Sequence, residues 1–562
     1  MITSSRAALA ACHQMSNRSS EFSDEFLAQL KDDLVCRRVG RGMARLEERR
    51  HLPSAIDPRE KNAGVFTGYL ALWVDVGFQR PELVKDVIAR FPAPERAQIS
   101  LRDYIYLRMA EGMVAMAEKA PEEAIPHFDF VLALGEEVDD QELQSIANFW
   151  KGRCLRKKGE YDDALAYTTA GRDIALELGH QPMAAVMRVM ESWLFFQKGK
   201  SEEAIRILRE AEAILRKTDD HLTLGNIHSS YGRIARQQGR FQHAIEHFDA
   251  AIAEYKKRDP LHRNVARSLA NSANVKRLIA LQLRRKIDAD VVRRRKAASR
   301  GGSNRRTAGV QYRPRFEQLR QEAFSALNEA ASIYKQYPDY HGIGSVHLNY
   351  GYLHLDGGDL EDADTEAAKA FRLGEQKKDY ILMARARLLQ CMIENARVEE
   401  EIGEGAEPGT HARLAQDCAQ DAVELVKHTQ DRRLLADAYI WQGLTYCNSF
   451  FSDIDAARQS YDLAVTFSKD DHAAGPREDL QTLRTKILRR GTVDPTLRAW
   501  SQGSVGDKTF QQITEEFAEL IIPKIWEREG RKVSRVAARL SISPKKVRRI
   551  LSQVGRRKPA AD

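Results

Sequence analysis

Residues 223–259 read TLGNIHSSYGRIARQQGRFQHAIEHFDAAIAEYKKRD. Two apolar sets spaced at three and four residues lie on either side of Gly239-Arg240-Phe241, the pattern of two antiparallel helices that each carry one apolar face. Gly232 of the first helix falls opposite Ala244 of the second, with Phe248 and Ala251 beside them. A small residue at the crossing and an aromatic filling the adjacent gap make a hairpin in which neither helix buries its face alone, so the unit needs neighbours.

The neighbours are present at a fixed interval. Small residues recur at Gly112, Gly152, Ser192, Gly232 and Ser272, each 40 residues after the last, and alanines follow twelve positions later at Ala124, Ala164, Ala204 and Ala244. Downstream the signature returns at Ala323/Leu327/Ala330, Gly351/Ala363/Ala370, Ala415/Ala422 and Ala457/Tyr461/Ala464, now with insertions, making about eight hairpins. These residues resemble the tetratricopeptide repeat, with its Gly-x-aromatic turn at Gly159-Glu160-Tyr161 and Gly239-Arg240-Phe241, and Leu360 in the aromatic's place after Gly358. The resemblance covers about residues 60 to 470, and the 40-residue step exceeds the usual period of about 34, which predicts longer helices. It implies an all-α, tetratricopeptide-like helical-hairpin solenoid that binds a protein, peptide or small ligand, without catalysis.

The remainder of the chain fits that frame. Lys and Arg number 88 against 80 Asp and Glu, a net charge of +8, so the distribution of charge matters more than its sum. Cys12, Cys36, Cys154, Cys391, Cys418 and Cys447 form no CxxC pair, which argues for a reducing compartment and against a disulfide or zinc framework. The N-terminal apolar run is too short for a signal peptide and no stretch is long enough to span a bilayer, so a soluble, bacterial-type cytoplasmic protein is expected. Residues 1–60 divide into a polar tail and a helix over residues 22–46 (Phe22, Phe26, Leu30, Leu34), closed by Pro53 and Pro58. Residues 61–470 form the solenoid, opening on a degenerate hairpin that turns at Gly77; residues 471–508 are a linker with one helix near 477–488, and 509–562 are a separate domain.

Within the repeat resemblance, the concave surface falls to Trp150, Arg153, Arg156, Lys157, Trp193, Asn226, Arg233, Arg236, Lys276 and Arg277. Cations interleaved with aromatics suit an acidic or aromatic-bearing peptide or a phosphorylated ligand; a solvated face with stems over apolar neighbours is the plainer alternative. A basic insert at 284–315 expands the turn of the Ser272 unit, with twelve cations interrupted by Asp288 and Asp290 and a linker-like centre from Ser299 to Asn304. As an exposed loop it would contact phosphates, RNA included, or simply solubilise the chain. A second, acidic insert lies near Gly403 to Thr410.

No catalytic residues, metal or cofactor are expected. Gly199-Lys200-Ser201 ends like a phosphate loop, but Leu194 stands where the first glycine belongs. The His243-Ala244-Ile245-Glu246-His247 run has the order of an inverted zinc motif, yet Ala244 is a packing alanine of the repeat.

The C-terminal domain carries the second signal. Thr509 and Gln512 form a capping box before an apolar stripe, Phe510, Ile513, Phe517, Leu520 and Ile521. Pro523 then kinks that helix or starts another. Beyond it, Val536, Ala537 and Leu540, then Ile542 in a turn, then Val547 and Ile550 give two short helices one shared apolar side; Ser543 caps the second and Pro544 takes its first position. Lys545, Arg548 and Arg549 point away from that side. Thirteen cations from Lys524 to Lys558 oppose only Glu527 and Glu529. The segment resembles the Fis-type helix-turn-helix of bacterial transcription regulators, with Ser541 in place of the usual turn glycine. That resemblance implies binding of double-stranded DNA, here through Arg535, Ser543, Lys545, Lys546, Arg548, Arg549, Arg556 and Arg557. One recognition helix makes few base contacts, so a second copy is expected, supplied by a homodimer with the helix from Phe510 to Ile521 as its candidate surface or by a partner bound to the solenoid. The rival expectation is a protein–protein scaffold whose last helices only cap the stack.

Overall fold

A computed structural model describes residues 22–78, 80–118, 121–298, 309–336, 339–401, 409–468, 478–491 and 507–557. Every regular element among them is helical. From residue 101 to 468 they form eight consecutive hairpins, beginning Leu101–Glu118 with Pro121–Gly135 and ending Arg432–Tyr446 with Ile454–Ser468, which is the all-α solenoid the repeat predicts.

Each hairpin closes for the reason its sequence gives. A methyl group built on Gly232 would sit 2.8 Å from the Phe248 ring, so only glycine lets that ring lie flat on the facing helix, and Phe248 and Ala244 are fully buried there. Truncating Phe248 to alanine would cost about 3–5 kcal/mol. The turn is equally specific. Gly159 ends its helix at φ +86°, donating its N–H to the Arg156 carbonyl while Glu160 donates to Leu155, which satisfies carbonyls the helix end would leave bare. At the opposite end a buried aspartate caps many of the inner helices: Asp140 accepts from the Leu143 N–H, Asp220 from Thr223, Asp379 from Leu382 and Asp431 from Leu434. Each such cap contributes about 1 kcal/mol.

Three expectations change. The single helix over residues 22–46 is two, Asp24–Val35 and Val39–Glu48, because Arg37 adopts a left-handed conformation (φ 56°). The break carries the Arg37 side chain into a buried ion pair with Asp220 at 2.7 Å, and Asp219 accepts the N–H groups of Val39 and Gly40. The N-terminal segment is thereby pinned to the fourth of the eight hairpins. The basic insert is not a loop over most of its length. Arg263–Ala298 is one 36-residue helix that packs along Gly309–Gln336, because no glycine or proline interrupts the insert before Gly301; its linker-like centre, 299–308, lies outside the described residues. The acidic insert, 402–408, lies outside them as well. Finally, the solenoid's compact unit runs to Arg484 rather than 470, since Leu483 of helix Glu478–Gly491 is fully buried against Gly443 of the last hairpin.

The degenerate opening hairpin pairs Ala63–Trp73 with Pro81–Ile88 through a π-helical turn, Val74–Phe78. At a distance of about 270 residues the solenoid also meets itself. Gln430 donates its backbone N–H to Gly159 (2.7 Å), its side chain accepts from the Asp162 N–H (2.6 Å), and the Tyr161 hydroxyl donates to Asp431 (3.2 Å).

The C-terminal unit, residues 485–562, is built in its described part on Phe510–Arg528, Val533–Leu540 and Pro544–Arg557. Thr509 and Gln512 form the expected reciprocal cap, and the first helix passes through Pro523 unbroken. Ile522, Val536, Ala537, Val547 and Ile550 are its core, with Leu540 and Ile542 packed against them. Ser541 turns the chain at φ 54°.

Candidate functional site

Five consecutive inner helices and the N-terminal segment line a half-open cavity of about 310 Å³. Seven of the ten residues expected on the concave surface line it together: Trp150, Arg153, Arg156, Lys157, Trp193, Asn226 and Arg233. Arg236 is not among the lining residues and leans toward Asn271 at 3.5 Å. Lys276 and Arg277 lie elsewhere, the first paired with Glu322 (3.1 Å) and the second held on both oxygens of Asp356.

The cavity is strongly cationic. Arg37, Arg153, Arg156, Lys157, Arg233, Arg263 and Arg267 reach it, against the carboxylates of Asp75 and Asp339. Arg37 is committed to Asp220. Asp75, delivered by the π-helical turn, takes both Arg153 nitrogens (2.9 and 3.3 Å) and an Arg263 nitrogen at 3.4 Å. Burial pushes the Asp75 carboxyl upward, but those two guanidiniums outweigh it and hold the group below its ordinary value. The same balance holds at Asp339, where burial is opposed by Arg263 and Lys157.

Three further arginines have no such partner. Arg156 lies over the Trp193 ring at 5.0 Å, Arg233 donates to the Ser229 carbonyl (3.2 Å), and Arg267 donates to the Asn226 side chain (2.9 Å). None of the three makes an ion pair among the described residues, and the Nε atoms of Arg156 and Arg267 are buried without an acceptor. Burial, reinforced by neighbouring arginines, lowers Arg156 to about 10 and Arg233 to about 9. Arg236 is lowered to about 10 by burial, with Arg385 and Arg433 adding to it. A guanidinium ordinarily stays charged throughout the accessible pH range, and here burial is the main cause of the lowering, with the neighbouring positive charges adding to it.

Arg263, Arg267 and Asp75 are cavity residues the sequence reading missed. The cavity follows the superhelical stack, not a fixed register. On the second hairpin it takes positions around and after Gly152, such as Arg153 and Arg156. On the fourth it takes Asn226 and Arg233, and on the fifth only the first turns of the helix, Arg263 and Arg267, well before Ser272. A drift of the lining toward the helix N-terminus is the signal that would have found them; Asp75 carries no comparable sequence mark.

On the C-terminal unit, Arg535, Ser543, Lys545, Lys546, Arg548 and Arg549 are all exposed. The Ser543 hydroxyl caps the last helix by accepting from the Lys546 N–H (3.2 Å). Arg549 pairs with Glu515 at 3.0 Å, and Lys545, Lys546 and Arg548 have no ion pair among the described residues. The side chains of Arg556 and Arg557 lie outside them. Of the motifs weighed for other chemistry, His247 packs against His228 and Tyr231, while Gly199 and Lys200 make the turn into helix Ser201–Leu215. Among the described residues no helix is long and apolar enough to cross a membrane.

Residues 109–175 match the tetratricopeptide repeat family. No curated protein matches the sequence. Among solved structures, the apo form of the quorum sensor NprR from B. thuringiensis is similar at 10% identity, covering 70% of this chain and 97% of that one with a TM-score of 0.45. The human IFIT1 dimer with m7Gppp-AAAA is similar at 11% identity, over 84% of this chain and 97% of that one, with a TM-score of 0.43. A signal transduction ATPase with numerous domains and a tetratricopeptide repeat sensor, from Pyrococcus horikoshii, is similar at 12% identity over 79% and 64%, with a TM-score of 0.35. The chain is an all-α repeat protein that carries tetratricopeptide repeats over residues 109–175.

Proposed function

We propose that this chain is a cytoplasmic, non-catalytic transcription regulator in which the solenoid binds a ligand or partner and the C-terminal unit, a helix-turn-helix of Fis type, binds double-stranded DNA. The observation that carries the DNA reading is the division of the last helix: Val547 and Ile550 are buried, while Lys545, Lys546, Arg548 and Arg549 are exposed. A helix anchored by one face with cations along the other has the reach to contact phosphates and guanine edges in a major groove. Ser541 supports it by holding the left-handed turn between the two short helices. One recognition helix makes few base contacts, so a second copy supplies the other half-site. Phe510 at 85% and Phe517 at 48% exposure give the helix Phe510–Arg528 an apolar stripe for pairing.

Replacing Arg548 and Arg549 together with Glu tests this. Duplex binding in a gel-shift assay is expected to vanish while the melting curve stays in place, since both side chains are exposed. Unchanged binding would leave the protein–protein scaffold as the reading.

A further inference from the structure

We propose that the solenoid cavity binds a small phosphate-bearing polyanion, in the size range from pyrophosphate to a mononucleotide, held by Arg156, Arg233 and Arg267. This rests on the reading of the solenoid as a ligand-binding element and names its ligand class.

Charge comes first. Once Asp220 has taken Arg37 and Asp75 has taken Arg153 and Arg263, three guanidiniums and the Lys157 ammonium face the cavity with Asp339 as the remaining carboxylate. A protein that gained nothing from this clustering would be more stable without it, because each partly buried cation repels its neighbours and lacks a counter-charge. Donor geometry comes second. Arg156, Arg233 and Arg267 line the cavity from three different helices. Several N–H donors converging from different helices suit a ligand with many acceptor oxygens. All the unpaired cations except Lys157 are arginines, whose planar forks match phosphate.

Size comes third. A space of about 310 Å³ sits at the lower end of small-molecule sites. Trp193 and Trp150 both line the cavity, and Trp193, the less buried of the two, offers an aromatic group attached to the phosphate a ring to lie against. The two tryptophans also make occupancy visible.

Titrating the full-length chain with pyrophosphate, at constant ionic strength and with malonate as the dicarboxylate comparator, tests the proposal by calorimetry and tryptophan fluorescence. Pyrophosphate is expected to bind more tightly than malonate and to raise the melting temperature. Arg156→Gln and Arg233→Gln are each expected to weaken binding about tenfold or more, the worth of a lost charge-assisted hydrogen bond. Without ligand, both variants are expected to melt at or above the temperature of the parent chain. Three results would overturn the proposal: malonate binding as tightly as pyrophosphate, pyrophosphate binding that survives both substitutions, or variants that melt well below the parent, which would mark the arginines as structural. The gel shift of the Arg548/Arg549 variant stands apart from these readouts, so a wrong ligand class and a wrong regulator reading fail separately.

Discussion

Arg156 and Arg548 are the same side chain in opposite settings. The first lies at the wall of a cavity inside the solenoid, over Trp193 and beside other arginines; the second stands in water on the last helix of the C-terminal unit. Burial penalises the charged form of Arg156. The difference teaches where stability and function separate. In water a cation contributes little to folding and is free to meet a distant phosphate backbone; enclosed, it sets stability and selectivity together, because it must be answered from within the protein or by a guest.

The comparison can be broken most easily at Asp75. Asp75→Asn leaves Arg153 and Arg263 without their shared carboxylate, and a loss of about 3 kcal/mol is expected in chemical denaturation, the usual result of removing one partner of a partly buried pair. A second route is pH. His262 lines the same cavity, its Nδ1 accepts from the Asn264 N–H, and burial with Arg263 and Arg267 depresses it to about 3. Unfolded, the imidazole takes up a proton near its ordinary value; folded, it stays neutral down to about 3. Its contribution is therefore complete above about pH 6.5 and is lost as the pH falls toward 3. Between pH 7 and 5 the loss is about 2 kcal/mol, and the pH dependence of stability in His262→Asn is expected to be flatter by that amount.

The C-terminal unit sharpens the contrast with smaller effects. Ser541→Gly removes a side chain from a left-handed position and is expected to stabilise the unit by about 1 kcal/mol in thermal melts. Smallest of all, Arg548→Gln is expected to move stability by no more than about 0.5 kcal/mol, while lowering the slope of log duplex affinity against log salt by about one.

Much of this architecture was written in the spacing of small residues. Gly112, Gly152 and Gly232 each lie where an added methyl would strike the facing helix, so their interval is a steric requirement that a single sequence displays openly. The share of the C-terminal core that the two short helices supply was equally legible, since Val536, Val547 and Ile550 follow helical periodicity and are buried as a group, whereas the first helix contributes Ile522, which lies outside the stripe read from the sequence. Lys276 and Arg277 were placed in the cavity by carrying one register through every hairpin, which the twist of the stack defeats. Asp75 and Arg37 were beyond reach for a different reason. Their partners, Arg153, Arg263 and Asp220, lie far along the chain, and the bends that deliver them, a π-helical turn and a left-handed Arg37, have no periodic signature. The basic insert misled through composition: a dense run of arginines reads as a solvated loop, yet without a breaker it continues the helix.

The contact between residues 159–162 and 429–431 alters how the array behaves mechanically. An open stack of repeats frays from its ends, each unit answering only to the next. Here the array is clasped back on itself, so pulling on the repeats near residue 430 tugs directly at the turn of the second hairpin, whose inner helix carries Arg153 and Arg156. A strain applied at that clasp would reach those arginines without crossing the intervening repeats, and a chain cut short before residue 429 would lose it while keeping every cavity wall.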